Sequence, residues 1–142
     1  MNVINVYVSR RYTKLPSNTI FVFGSNLAGR HGASAAKDAV THFGAIHGRG
    51  NGPQGNSYGI PTKDERLQVL PLITISMYVS EFLEHAIKNP NLTYLVTPIG
   101  TGLSRYSAST IAPLFKDPPS NCLLPSSWST YYQNAAFLMN SL

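Results

Sequence analysis

The chain has 142 residues, of which 43% are hydrophobic and 12% charged. That size suits one domain over residues 1–142 around one core, and the composition is too apolar for a disordered chain. The formal charge of +5 favours anionic partners, and the single cysteine, Cys122, excludes an intrachain disulfide and makes a cysteine-based metal site an unsound expectation.

Residues 3 to 8 read as a strand, because Val3, Ile4, Val6 and Val8 are β-branched. A secretory signal would place basic residues first and a longer apolar run after them. No apolar run approaches the roughly 20 residues of a membrane span. A cytoplasmic protein without a membrane partner is the expectation. Residues 19 to 23, "TIFVF", read as a buried strand. A helix follows from about Gly32 to Phe43, with Ala35, Ala36, Ala39 and Val40 at helical spacing and Gly44 as its stop.

The glycine-rich stretch from 44 to 59 reads as a loop within the domain, since "SYGIPTK" at its end looks like a strand running into a site. A short strand is expected around Tyr58 to Pro61. A second helix is expected over about 74 to 88, with Ile75, Val79, Phe82, Leu83 and Ala86 on its apolar face and Asn89-Pro90 ending it. "LTYLVT", residues 92 to 97, is the next strand, and "PIGTGLSRYS" is a loop. A short helix near 107 to 115 has to hold Pro113 in its first turns or bend around it. "CLLP" reads as a last strand, and the tail from Trp128 to Leu142 as a helix on the core. Cys122 has no evident base beside it and reads as a buried structural thiol. Strands that alternate with helices predict an α/β sandwich, with ligands at the carboxyl ends of the strands.

The charge is uneven. Before Asp64 the only acid is Asp38, while the same segment carries seven scattered Arg and Lys residues. Scattered cations suit phosphates on a small ligand as well as a polynucleotide. After the strand at 19–23, "GSNLAGRHG" carries Gly24, Gly29 and Gly32, so backbone N–H groups can approach a phosphate at a helix start. The spacing matches neither the Walker loop nor G-x-G-x-x-G. A plain strand–turn–helix connection fits it equally well. Asn26 reads as a turn former or an arm to a ribose, Arg30 as a phosphate partner or a solvated charge, and His31 as an exposed loop histidine or a base. "PIGTGLSRY" repeats the chemistry, with Gly100 and Gly102 flanking Thr101. A pyrophosphate needs two such cradles. Lys63 at a strand end, ahead of Asp64 and Glu65, reads as a phosphate contact or as an exposed turn of mixed charge.

"TIFVFGSNLAGRHGASAA" and "LTYLVTPIGTGLSRYSASTIAPLF" together resemble the macrodomains, the ADP-ribose-binding fold. In layout the chain is most similar to their terminal ADP-ribose protein glycohydrolase branch, over roughly residues 19 to 116. It also resembles phage and bacterial proteins that share the "N-x-x-LP-x-x-W" ending, here Asn121 to Trp128. The resemblance implies a three-layer α/β/α sandwich with a mixed central sheet. It implies that Gly24, Ser25 and Asn26 line the ribose and diphosphate side, that Gly29, Arg30 and Gly32 offer N–H groups or charge, and that Gly100, Thr101, Gly102 and Leu103 close over the diphosphate. Tyr106 would stack on a ring or pack in the core. The branch's catalytic lysine corresponds to Lys63. Its aspartate corresponds to Ser104, which supplies no carboxylate, and the glycine run of other hydrolytic macrodomains is missing from "NLAGRHGA".

The leading expectation is therefore a binding module for ADP-ribose or a related NAD-derived nucleotide, without a cofactor or metal. The first alternative is a glycohydrolase that removes ADP-ribose from protein or nucleic acid with Lys63, which needs a carboxylate nearby. The second is a basic nucleic-acid-binding protein, although its aromatic and basic residues do not interleave in one stripe.

Overall fold

The computed structural model describes residues 3–4, 15–102, 104, 106–132 and 136–138. The strands are β1 (Val3–Ile4), β2 (Thr19–Asn26), β3 (Gly52–Gln54), β4 (Ser57–Lys63), β5 (Thr93–Val96), β6 (Cys122–Leu124) and β7 (Ala136–Leu138). The helices are α1 (Ser34–Phe43), α2 (Leu72–Lys88) and α3 (Ala108–Ile111). They form an α/β protein on one seven-stranded sheet of order β1-β7-β6-β5-β2-β4-β3. The sheet is mixed: β3 runs antiparallel to β4, and the other pairings are parallel.

β2 explains the layering. It is apolar on both faces, as a central strand of a covered sheet must be. Phe21 and Phe23 point to one side and pack with Ala36, Ala39 and Phe43 of α1. The Phe21 and Phe43 rings stack with centroids 4.5 Å apart. Ile20 and Val22 point to the other side and join the larger core with Ile75, Val79, Phe82, Leu83 and Ala86 of α2. These are the positions the helical spacing assigned to the apolar face. Phe82 meets Tyr58 and Tyr94 ring to ring, at 5.0 and 5.3 Å.

Several boundaries differ from the sequence reading. β2 runs on to Asn26, so Gly24, Ser25 and Asn26 are strand residues paired with β4. α1 starts at Ser34, after an extended Ala33. The 44–59 stretch holds β3, a hairpin partner of β4 that its glycines concealed. The helix near 107 breaks at Ile111 into a 3₁₀ turn, Ala112–Leu114, that contains Pro113. Pro113 has no N–H to donate, so the α-helical ladder does not run on through it.

The expected tail helix is corrected: Ser126–Tyr131 is a 3₁₀ turn, and Ala136–Leu138 is a strand between β1 and β6. Pairing on both edges, which no local pattern reveals, favours the strand there. Residues 5–8 of the expected first strand, and 133–135 and 139–142 of the tail, lie outside the described residues.

The topology positions the site. From β2 the chain crosses through α1 to β4 on one flank, then returns through α2 on the opposite face to β5 on the other flank. The carboxyl ends of β2 and β5 therefore part in opposite directions, which leaves a crevice between them. No helix among the described residues is long and apolar enough to cross a membrane.

Candidate functional site: a cleft where the strand order reverses

A cleft of about 510 Å³ opens at that crevice. Its size is ordinary for a small-molecule site. Three stretches bring residues to it: the end of β2 with the start of α1, the end of β4 with the turn after it, and the loop after β5.

The β2–α1 loop is held by its own side chains. Asn26 donates from Nδ2 to the Arg30 carbonyl and accepts the Arg30 N–H on Oδ1, both at 3.0 Å. The Gly29 N–H donates to the Asn26 carbonyl at 2.9 Å. Asn26 is thus the clamp of the loop, which leaves one Nδ2 hydrogen for anything else. Gly29 turns away from the cleft. Its φ is +70°, and an added Cβ would lie 2.3 Å from the Arg49 nitrogen. Gly50 is as tightly placed, since a Cβ there would lie 2.0 Å from the Asn26 oxygen. The glycine-rich stretch is a backbone-to-backbone brace beneath the loop. His31 belongs to this brace: it is 2% exposed, and its Nε2–H donates to the Arg49 carbonyl at 2.8 Å. It is not the exposed loop histidine of the first expectation.

Arg30 and Gly32 do line the cleft, followed by Ala33 to Ala36. A side chain at Gly32 would meet nothing within 4 Å. The N-cap of α1 is Ala33, which has no side chain able to cap, and no side-chain hydrogen bond closes this end. Among the described residues the first-turn amides therefore lack intrahelical and capping partners, and they carry the positive end of the helix dipole. Ser34, the first helical residue, holds φ at +55°, which is uncommon for a residue with a side chain.

The loop after β5 is closed by its own threonines. The Thr97 N–H and Oγ1 both donate to the Val22 carbonyl, at 3.1 and 2.8 Å. Thr101 Oγ1 donates to the Pro98 carbonyl at 2.7 Å. Gly100 has φ +75°, and a Cβ there would come within 3.0 Å of Ile111. Gly100, Thr101 and Gly102 line the cleft, while Leu103 lies outside the described residues. Tyr106 is not among the lining residues: its hydroxyl donates to the Leu70 carbonyl at 2.9 Å and its ring packs against the larger core.

Lys63 ends β4, half-buried, pairs with Asn26 of β2 and lines the cleft. Asp64 is occupied by its own turn. Its Oδ1 accepts the N–H groups of Arg66 and Gln68, at 2.8 and 2.9 Å. Glu65 is exposed. Ser104 is buried in the cleft wall and donates to Thr62 Oγ1 at 2.8 Å. Among the described lining residues the charged side chains are Arg30 and Lys63, both cationic.

The sequence reading did not include Thr62, Thr97, Leu67 and the Ala33–Ala36 turn. Thr62 and Thr97 stand at the ends of their strands, where the strand-end rule points. Leu67 carries no signal: it is 42% exposed and reaches the cleft because the turn after β4 folds back, with φ +63° at Leu67 itself.

The strongly shifted groups sit elsewhere. Burial pushes the Tyr58 and Tyr94 phenols up to about 12, with Glu81 adding to the effect on Tyr58. Burial also pushes the Cys122 thiol up to about 12, so this cysteine is the inert core thiol its surroundings in the sequence suggested.

Fold and site together define an α/β protein with an amide-lined, cationic cleft at the reversal of its strand order. The chain matches no family model, and no curated protein matches it.

Proposed function

We propose that the cleft binds ADP-ribose or a related NAD-derived nucleotide, with the diphosphate between the α1 N-terminus and the Gly100–Gly102 loop. A macrodomain-like arrangement, a cytoplasmic location and an ADP-ribosylated protein or nucleic acid as the bearer of the ligand belong to the same proposal. The observation that carries it is the uncapped start of α1 opening into a cleft whose described charged side chains are Arg30 and Lys63. Free amides, a helix dipole and cations on one cavity attract phosphate groups.

Turnover has less support than binding. A hydrolase needs a carboxylate beside Lys63. Asp64 is tied to its own turn, and the expected aspartate position is Ser104, whose proton goes to Thr62.

Calorimetric titration with ADP-ribose, beside AMP and NAD, tests the proposal. Saturable binding of ADP-ribose, at least about tenfold tighter than AMP, is expected if both phosphates are held (about 1.4 kcal/mol). Lys63→Ala is expected to weaken it about tenfold to 150-fold, the range for one hydrogen bond to a charged group. No heat at millimolar ADP-ribose, together with single-stranded nucleic acid binding that falls steeply with salt, would replace this reading with the nucleic-acid one.

A further inference from the structure

The exposed apolar side chains are unevenly placed. Among the described residues, four of the seven large hydrophobics that stand exposed fall between 67 and 77: Leu67, Val69, Ile73 and Met77. Ile73 and Met77 are 72% and 64% exposed. They lie four apart on one side of α2, opposite the side on which Ile75 and Val79 enter the core. The strip starts at the rim of the cleft, because Leu67 lines it. Val69 pairs antiparallel with Lys63. Just beyond it, the Leu70 N–H donates to the Thr62 carbonyl and the Tyr106 hydroxyl donates to the Leu70 carbonyl, both at 2.9 Å. The turn is thus fixed to the cleft wall before α2 begins, which makes the strip a preorganised surface.

The charge around the strip is opposite to that of the chain. Residues 64–84 hold four acids, Asp64, Glu65, Glu81 and Glu84, against one cation, Arg66, while the whole chain carries +5. Glu81 and Glu84 are exposed and follow Met77 by one and two turns of α2. An apolar centre with a charged edge has the composition of a protein interface. The sign of that edge selects the partner. A polynucleotide or an anionic lipid surface would bring like charge to Glu81 and Glu84. A second copy paired through the same face would set these acids against themselves. We infer that Leu67, Val69, Ile73 and Met77 form a docking surface for a basic polypeptide segment with aliphatic side chains. Its apolar groups cover the strip, and its Lys or Arg residues meet the flanking acids. The surface goes beyond the nucleotide reading and does not depend on it.

The test uses the full chain and three labelled peptides of equal length, read by fluorescence anisotropy: one of Lys and Leu, one with Glu in place of Lys, and one with Ser in place of Leu. The Lys–Leu peptide is expected to bind more tightly than either of the others. Ile73→Ser and Met77→Ser should each weaken it about fivefold or more, the loss that marks a contributing interface side chain. Both residues are exposed, so the variants should melt like the wild type. Glu81→Gln combined with Glu84→Gln should also weaken the Lys–Leu peptide and flatten the dependence of its binding on salt. Three peptides of equal affinity, or Lys–Leu binding that Ile73→Ser and Met77→Ser leave unchanged, would overturn the inference. So would dimerisation of the wild type that Ile73→Ser abolishes, which would assign the strip to a second copy. An oligonucleotide that displaces the Lys–Leu peptide and is itself weakened by Met77→Ser would overturn it in favour of nucleic acid.

Discussion

Gly29 and Gly32 lie three positions apart in one loop and do different work. Gly29 sits in left-handed backbone against the Arg49 amide, whereas a side chain at Gly32 would meet open space. Gly29→Ala is therefore expected to cost roughly 2 kcal/mol or more, from strain and collision together. Gly32→Ala should stay within about 0.5 kcal/mol, as for other surface changes. Urea unfolding of the two variants checks the contrast, and equal costs would contradict the brace.

His85 gives a second effect at this scale. It shares a hydrogen bond with the Tyr94 hydroxyl at 2.9 Å, and burial lowers its pKa from the ordinary 6.5. A lowered folded-state value means that the unfolded chain takes up the proton first on acidification. The His85 contribution is then fully present above pH 6.5 and fades as pH falls below 6.5 through the folded-state value. Stability measured by denaturant at pH 7 and at pH 5 should fall, and the fall should be smaller in His85→Gln. An equal fall in both proteins would assign the acid sensitivity to other groups.

Among the elements, α2 carries the larger core. Its buried residues recur at three-to-four spacing, and Phe82 is fully enclosed by Tyr58, Tyr94 and Phe115. Phe82→Ala is expected to cost about 3–5 kcal/mol, since these rings cannot all collapse into the vacated space. A thermal melt or a urea curve checks it, and a cost under about 1 kcal/mol would mean that α2 is far less tightly packed. The starts of α1 and α2 both lack a side-chain cap, and they differ in what they face. α2 begins behind Pro71, which is exposed and does not line the cleft. α1 begins behind an alanine and leaves its amides to the cleft. The missing cap has a local cost, and it is what makes the α1 end available to an anion.

At the scale of the whole molecule, the cleft exists because the chain leaves β2 toward one flank and reaches β5 on the other. Several of its components were legible one at a time in the sequence. The β-branched and aromatic run at 19–23, the spacing of Ile75 to Ala86 and the glycines flanking Thr101 each encode a local preference, because burial on one or two faces imposes a short period on the residues. Those patterns were enough for an α/β sandwich and for the loops that meet at the strand ends.

Other features were settled only when distant segments came together. Gly29 was indistinguishable in sequence from the glycines beside it, yet the approach of Arg49 removes it from the cleft. Tyr106 was drawn into the core by the Leu70 carbonyl, and Leu67 was carried to the cleft by a turn. The tail became a strand because the β1 and β6 edges flank it. The sequence by itself determined which segments would be helix or strand wherever a repeating apolar face set the choice. Tertiary structure decided which polar atoms were consumed by the protein and which faced the cleft, because a hydrogen bond between residues far apart in the chain, such as Ser104 to Thr62, leaves no trace in local composition.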